Sequence, residues 1–184
     1  MRQVLHSAPL ADYEPEIGRW LWAMEEVRRR TSDSVEGLNQ RTLDWEGPAG
    51  GENAIGSLLY HIALVEMSWL FMDIFTRELP VEVKSLFPYA MATDRHLTPA
   101  LGISLEEHLE RLNKSRAIFL NALKGMSVVD WHGLRSPEDT PYEVTPAWVT
   151  FHLIEHEAGH AAQIRTLKKR AHRRADENPE AKSG

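Results

Sequence analysis

Phe151-His152-Leu153-Ile154-Glu155-His156-Glu157-Ala158-Gly159-His160-Ala161-Ala162-Gln163-Ile164 is the stretch on which the fold turns. Extended by a few residues each way, it places Val149, Leu153, His156, His160, Ile164 and Leu167 at steps of three and four, the period of a helix with one buried stripe. Two of those inward positions hold imidazoles where a bundle ordinarily holds leucine. A buried polar group without a partner costs roughly 2–7 kcal/mol, so something must satisfy them. Side chains four apart stand one above the other with β-carbons about 5–6 Å apart, and both rings can converge on one ion at about 2.0–2.1 Å. The helix is expected to begin at Thr145 with Pro146 in its first turn, where the missing N–H costs nothing, and to run to about Ala171. The polar residues 172–184 read as a disordered tail.

Working outward, three more segments carry the same period, and none alternates as a strand does. A first helix from about Ala11 to Thr31 is expected to bury Tyr13, Ile17, Trp20, Met24 and Val27. A break at Gly47, Pro48, Gly50 and Gly51 precedes a second, capped by Asn53 and ending near Arg77, with Ile55, Leu58, Ile62, Val65, Trp69 and Met72 inward. The third opens on the capping box Ser104-Leu105-Glu106-Glu107 and carries Leu109, Leu112, Phe119, Leu123 and Met126. The fold class is therefore all-α, a four-helix bundle, in one domain spanning residues 1–171. The connection from Glu78 to Ile103, with Pro80, Pro88 and Pro99, is far longer than an antiparallel turn and can travel the length of a bundle, making helices two and three parallel neighbours. Asp44-Trp45-Glu46-Gly47 and Asp130-Trp131-His132-Gly133 hint at a duplicated hairpin.

At 184 residues the chain suits one core. It has no cysteine, which removes disulfides, thiolate ligands and a thiol nucleophile, so thiol chemistry would need an external thiol. The net charge of −6 opposes attraction to nucleic acid, and no nucleic-acid partner is expected. The basic cluster Lys168, Lys169, Arg170, His172, Arg173 and Arg174 reads as a solvated helix end. With no secretory segment and no long apolar run, no membrane partner is expected and the default location is cytoplasmic.

A tight metal site needs a third ligand, and His61 stands between Leu58 and Val65 on a largely apolar face. Three neutral imidazoles leave at least one position open, the catalytic arrangement, since a closed structural zinc site uses four protein ligands. Zinc suits such a set, with nickel, iron, manganese and cobalt as alternatives. His152, one turn before His156, is a candidate proton-transfer residue, whereas His6, His96, His108, His132 and His172 read as loop or surface residues. His156-Glu157-Ala158-Gly159-His160 also fits H-E-x-x-H, in which the glutamate activates water. Zincin proteases usually draw their third ligand from further along the chain and hold substrate beside a strand, whereas only 24 residues follow here and they read as a helix end and tail. Glu157 is retained as a candidate base.

Asn53-Ala54-Ile55-Gly56-Ser57-Leu58-Leu59-Tyr60-His61-Ile62-Ala63-Leu64-Val65-Glu66 and His156-Glu157-Ala158-Gly159-His160-Ala161-Ala162-Gln163-Ile164 together resemble the second- and fourth-helix motifs of the DinB/YfiT-like superfamily of metal-binding bundles. The resemblance covers residues 10–170. It implies up-down-down-up topology, a homodimer, a metal near one end of the bundle on His61, His156 and His160, and, in some members, thiol-dependent transfer. Where family members often read H-H-R-G-Q, this chain has Gly159-His160-Ala161-Ala162-Gln163, so an adjacent histidine, an arginine and a glycine are missing. The expected function is a divalent-metal-dependent enzyme that activates an external low-molecular-weight thiol or water against a small-molecule electrophile, in a pocket closed by the Glu78 to Ile103 connection. Gln163 and Glu66 are the expected supports behind the ligands. The contrasting expectation is a non-enzymatic, stress-related bundle with a structural or vestigial metal.

Overall fold

The computed structural model describes residue 2, residues 4–89 and residues 97–177, the last three by backbone alone. Among these the chain is helical, with four long helices and three single-turn ones. The long helices are α1 (Pro15–Val35), α3 (Ile55–Ser68), α5 (Leu105–Ala122) and α7 (Pro146–Glu177); α2 (Gln40–Leu43), α4 (Val81–Lys84) and α6 (Val128–Trp131) lie in the connections. Helix α1 packs chiefly on α7, and α3 packs on both α5 and α7. Among the described residues the one β-like feature is an isolated antiparallel bridge between Arg135 and Val144.

The capping box of α5 is formed as its sequence predicts. The Ser104 hydroxyl accepts from the Glu107 N–H, and the Glu107 carboxylate accepts from the Ser104 N–H. Thr145 likewise caps α7 through the Trp148 N–H. Asn53 does not cap α3. Ala54 occupies that position, and the Asn53 side chain accepts from the Leu97 N–H, tying the long connection down. Helix α7 continues six residues beyond Ala171 to Glu177, so the chain from His172 is helical where a tail was expected. Residues 178–184 of that tail, and His96, lie outside the described residues.

Two stripes are rotated relative to their sequence reading. In α1 the buried positions are Ile17, Leu21, Met24, Arg28, Thr31 and Val35, while Trp20 faces out, edge-on to Phe151. In α3 the cause is a π-helical extension, Trp69–Ile74, in which the Phe75 N–H reaches back to the Leu70 carbonyl. The extra residue turns Asp73 inward and leaves Met72 half exposed. The stretch Ile55–Ile74 is long and apolar enough to cross a membrane, with a mean hydropathy of 1.4, but 78% of that window is buried against the other helices, as in a bundle core.

His108 is fully buried rather than at the surface. Its ring lies over Gly56, where an added β-carbon would sit 2.9 Å from its Nε2, and only glycine permits that approach. The two Asp-Trp tetrapeptides stand in different registers. Asp44 follows α2 as its C-cap, whereas Asp130 lies inside α6.

At the centre each long helix contributes one charged side chain. Arg28 of α1 donates to Glu66 of α3 at 2.8 Å and to Glu157 of α7 at 2.7 Å; Arg116 of α5 donates to both carboxylates as well. All four are at most 5% exposed. Burial by itself lowers the pKa of Arg28 and raises that of Glu66. The opposite charges outweigh it, so Arg28 ends above and Glu66 below its ordinary value, and both stay ionised.

Candidate metal centre

His61 rises from the first half of α3, and His156 and His160 from successive turns of α7, where the two helices pack. The Nε2 atoms of His61 and His156 are 3.2 Å apart, those of His156 and His160 are 3.0 Å apart, and donor atoms of all three lie within 4.8 Å of one another. The three rings are half buried at the edge of the core stripe. The stripe of α7 runs instead through Val149, Leu153, Glu157, Ala161 and Ile164, so the charge quartet, and not the imidazoles, occupies the expected core position.

The donor set fits a divalent ion. Nitrogens bound tetrahedrally at about 2.0–2.1 Å stand about 3.3 Å from each other, close to the spacing here. The His160 Nδ1–H donates to Gln163 Oε1 at 2.9 Å, which leaves the Nε2 lone pair facing its partners. His156 Nε2 meets both neighbours, and one proton there can serve only one of them. Where His156 is unprotonated at Nε2, its lone pair faces that of His160, an arrangement a cation relieves. Burial, and after it the neighbouring His160 charge, pushes His61 down to about 4. Burial, then the charges of His160, His61 and His152, takes His156 to about 3. Burial also lowers His160. The rings are therefore neutral at pH 7, the form that binds metal.

These shifts predict a pH dependence of folding. A histidine whose folded pKa lies below its unfolded 6.5 binds more protons when unfolded, so its contribution to stability is complete above pH 6.5 and is lost as pH falls toward 4 and 3. Buried His108, which burial and then Arg111 hold down to about 4, acts in the same sense. Urea midpoints of metal-free protein should fall between pH 7.5 and 4.5, and His156→Ala should flatten the slope. An unchanged slope in that variant would refute the assignment.

Around the triad the sequence reading missed an aromatic wall. His152 stacks on Trp148, with centroids 5.2 Å apart and planes at 6°, and meets Trp69 at 4.7 Å and His156 at 6.1 Å. Trp69 in turn stacks on Tyr142. Beside them opens a cavity of about 490 Å³ between the π-helical end of α3 and residues 137–142. Among the described residues Glu78 is the one lining residue from the long connection, and the wall opposite α3 is formed by residues 137–142 of the segment before α7. A second cavity, of about 530 Å³, lies beyond His160 among Asn53, Leu58, Gln163 and Thr166. Gln163 thus stands behind a candidate ligand. Glu66 and Glu157 lie in the quartet, where Glu157 has both oxygens engaged by guanidinium N–H groups. Arg28 and Arg116 were legible as polar residues in phase with Met24 and Leu112, but the first-helix reading put Val27 there.

A search of curated proteins returned no match. Among solved structures, a DinB-like protein from Bacillus cereus superposes with a TM-score of 0.62 at 15% identity, covering 84% of this chain and 92% of that one. A conserved protein from Enterococcus faecalis gives 0.64 at 14% identity, covering 82% and 93%. These likenesses show the fold. The sequence itself matches the family model described as the DinB superfamily over residues 23–164, most of its length, and the chain belongs to that superfamily.

Proposed function

We propose that this protein is a divalent-metal-dependent enzyme in which His61, His156 and His160 hold one ion, zinc before nickel, iron, manganese or cobalt, and an external low-molecular-weight thiol or water is turned on a small electrophile. The observation that carries the reading is the convergence of three neutral Nε2 atoms from two helices. Bound there, a divalent ion would supply the Lewis acidity that brings a thiol or water toward its ionised form at neutral pH. Gln163 holds the His160 ring in the tautomer that presents Nε2. His152, between Trp69 and Trp148 at the side of the cavity, can take a proton from the attacking group and pass it to solvent.

Glu157 takes a positioning role in this reading. Both of its carboxylate oxygens accept from guanidinium N–H groups of Arg28 and Arg116, so neither is free to take the water-activating part of an H-E-x-x-H protease. One cavity begins at Val65, a turn from His61, and the other includes Gln163, which holds His160; separate places for an electrophile and a thiol favour transfer slightly over hydrolysis. The same proposal takes helices α1, α3, α5 and α7 in up-down-down-up order, and the protein as a cytoplasmic homodimer without a nucleic-acid or membrane partner.

The test is turnover of a chromogenic aryl halide by zinc-loaded protein in the presence of cysteine as the thiol. Wild type is expected to accelerate thioether formation and His156→Ala to leave the solution rate. Equal rates for the two proteins would remove the enzymatic reading.

A further inference from the structure

Three buried carboxylates occur among the described residues, and the fold treats one of them differently. Glu66 and Glu157 are each held by Arg28 and Arg116. Asp73 is 7% exposed, yet it forms no ion pair among the described residues and accepts one hydrogen bond, from the Tyr142 hydroxyl at 2.9 Å. A buried carboxylate without a counter-ion is costly unless a cation reaches it. The π-helical turn of α3 creates this situation, because it turns Asp73 inward, beside the half-exposed Met72, in the wall of the 490 Å³ cavity. Turns of this kind recur at functional sites.

The surroundings of Asp73 suit a cation on an apolar body. Trp69 and Tyr142, stacked at 21°, with Val65 and Met72, supply the apolar walls. Glu138 and Asp139 add negative charge at the lining, where Glu78 is paired with Lys84. The one guanidinium of the lining, that of Arg77, lies over the rings of Phe71 and Phe75 at 5.4 and 5.2 Å and leaves the carboxylate free of an ion pair. The cavity begins at Val65, one turn from His61, and its aromatic wall continues through His152 to His156.

We infer that this cavity is the recognition subsite for a cationic substrate: an ammonium or amidinium group pairs with Asp73, a flat apolar body lies against Trp69 and Tyr142, and the other end reaches the histidines. The inference rests on the proposed function for what happens at that other end, and on the cavity alone for binding.

Calorimetry on chelator-stripped protein tests it with three probes that share one body: phenethylammonium, phenethyl alcohol and phenylacetate. Wild type is expected to bind the ammonium about tenfold or more tighter than the alcohol, and the carboxylate most weakly. Asp73→Asn should erase the preference, Trp69→Ala should weaken ammonium and alcohol together, and His156→Ala should keep the preference intact. Equal binding of ammonium and alcohol by wild type overturns the inference without recourse to any variant, as does an Asp73→Asn protein that still prefers the cation. Because metal is absent from the measurement, loss of probe discrimination in a protein that binds zinc normally sinks the subsite alone. Discrimination retained in a protein with no metal affinity sinks the metal reading alone.

Discussion

Glu157→Leu should lower the unfolding free energy by about 3–5 kcal/mol, the cost of leaving a buried ion network short of one partner, and Tm by roughly 10 °C for a chain of this size. The reason is local charge balance. Arg28 would keep only Glu66, and Arg116 would share Glu66 with the half-exposed Glu25, leaving two buried guanidiniums on one buried carboxylate. Removing a matched pair, as in Arg28→Met with Glu157→Leu, leaves Arg116 on Glu66 and should recover much of the loss. The two effects are therefore far from additive, and chemical denaturation of the two single variants and the double variant measures the coupling. A loss below about 1 kcal/mol in Glu157→Leu would mean that water or relaxation neutralises the site, and the quartet could not be the element that fixes α3 against α7.

The second large effect concerns the imidazoles. His61→Ala is expected to weaken zinc binding at pH 7.5 by more than about 100-fold, because loss of an outer partner alone commonly costs 10–100-fold. Gln163→Leu should fall inside that outer range, since it frees the His160 ring to turn but leaves all three donors in place. Competition against a chromophoric chelator gives both constants. In wild type, zinc at about 100 times its dissociation constant should add about 2.7 kcal/mol to stability, an increment the His61 variant should lack. Zinc affinity unchanged in His61→Ala would dismantle the three-nitrogen centre, because α3 contributes no other nitrogen to it.

The sequence by itself determined the helical class, the start of α5 and α7, and the three histidines. Periodicity and capping are local properties, written within a few residues, and His156 and His160 are brought together by one helical turn whatever the rest of the chain does. His61 joined them as the best-placed histidine for a third ligand and as the position that the motif of residues 53–66 shares with the superfamily. What the sequence could not determine was rotation. A stripe read one residue out of phase put Trp20 and Val27 inside and left Arg28 unread, and a single extra residue in the π turn exchanged Met72 for Asp73. His108 looked like a surface residue because nothing local announces that Gly56, some fifty positions away, makes room for its ring. The quartet, the aromatic wall around His152 and the uncompensated Asp73 each join side chains from two or more elements. Only tertiary packing decided them, because burial and charge compensation are settled by neighbours in space, whereas propensity and capping are settled by neighbours along the chain.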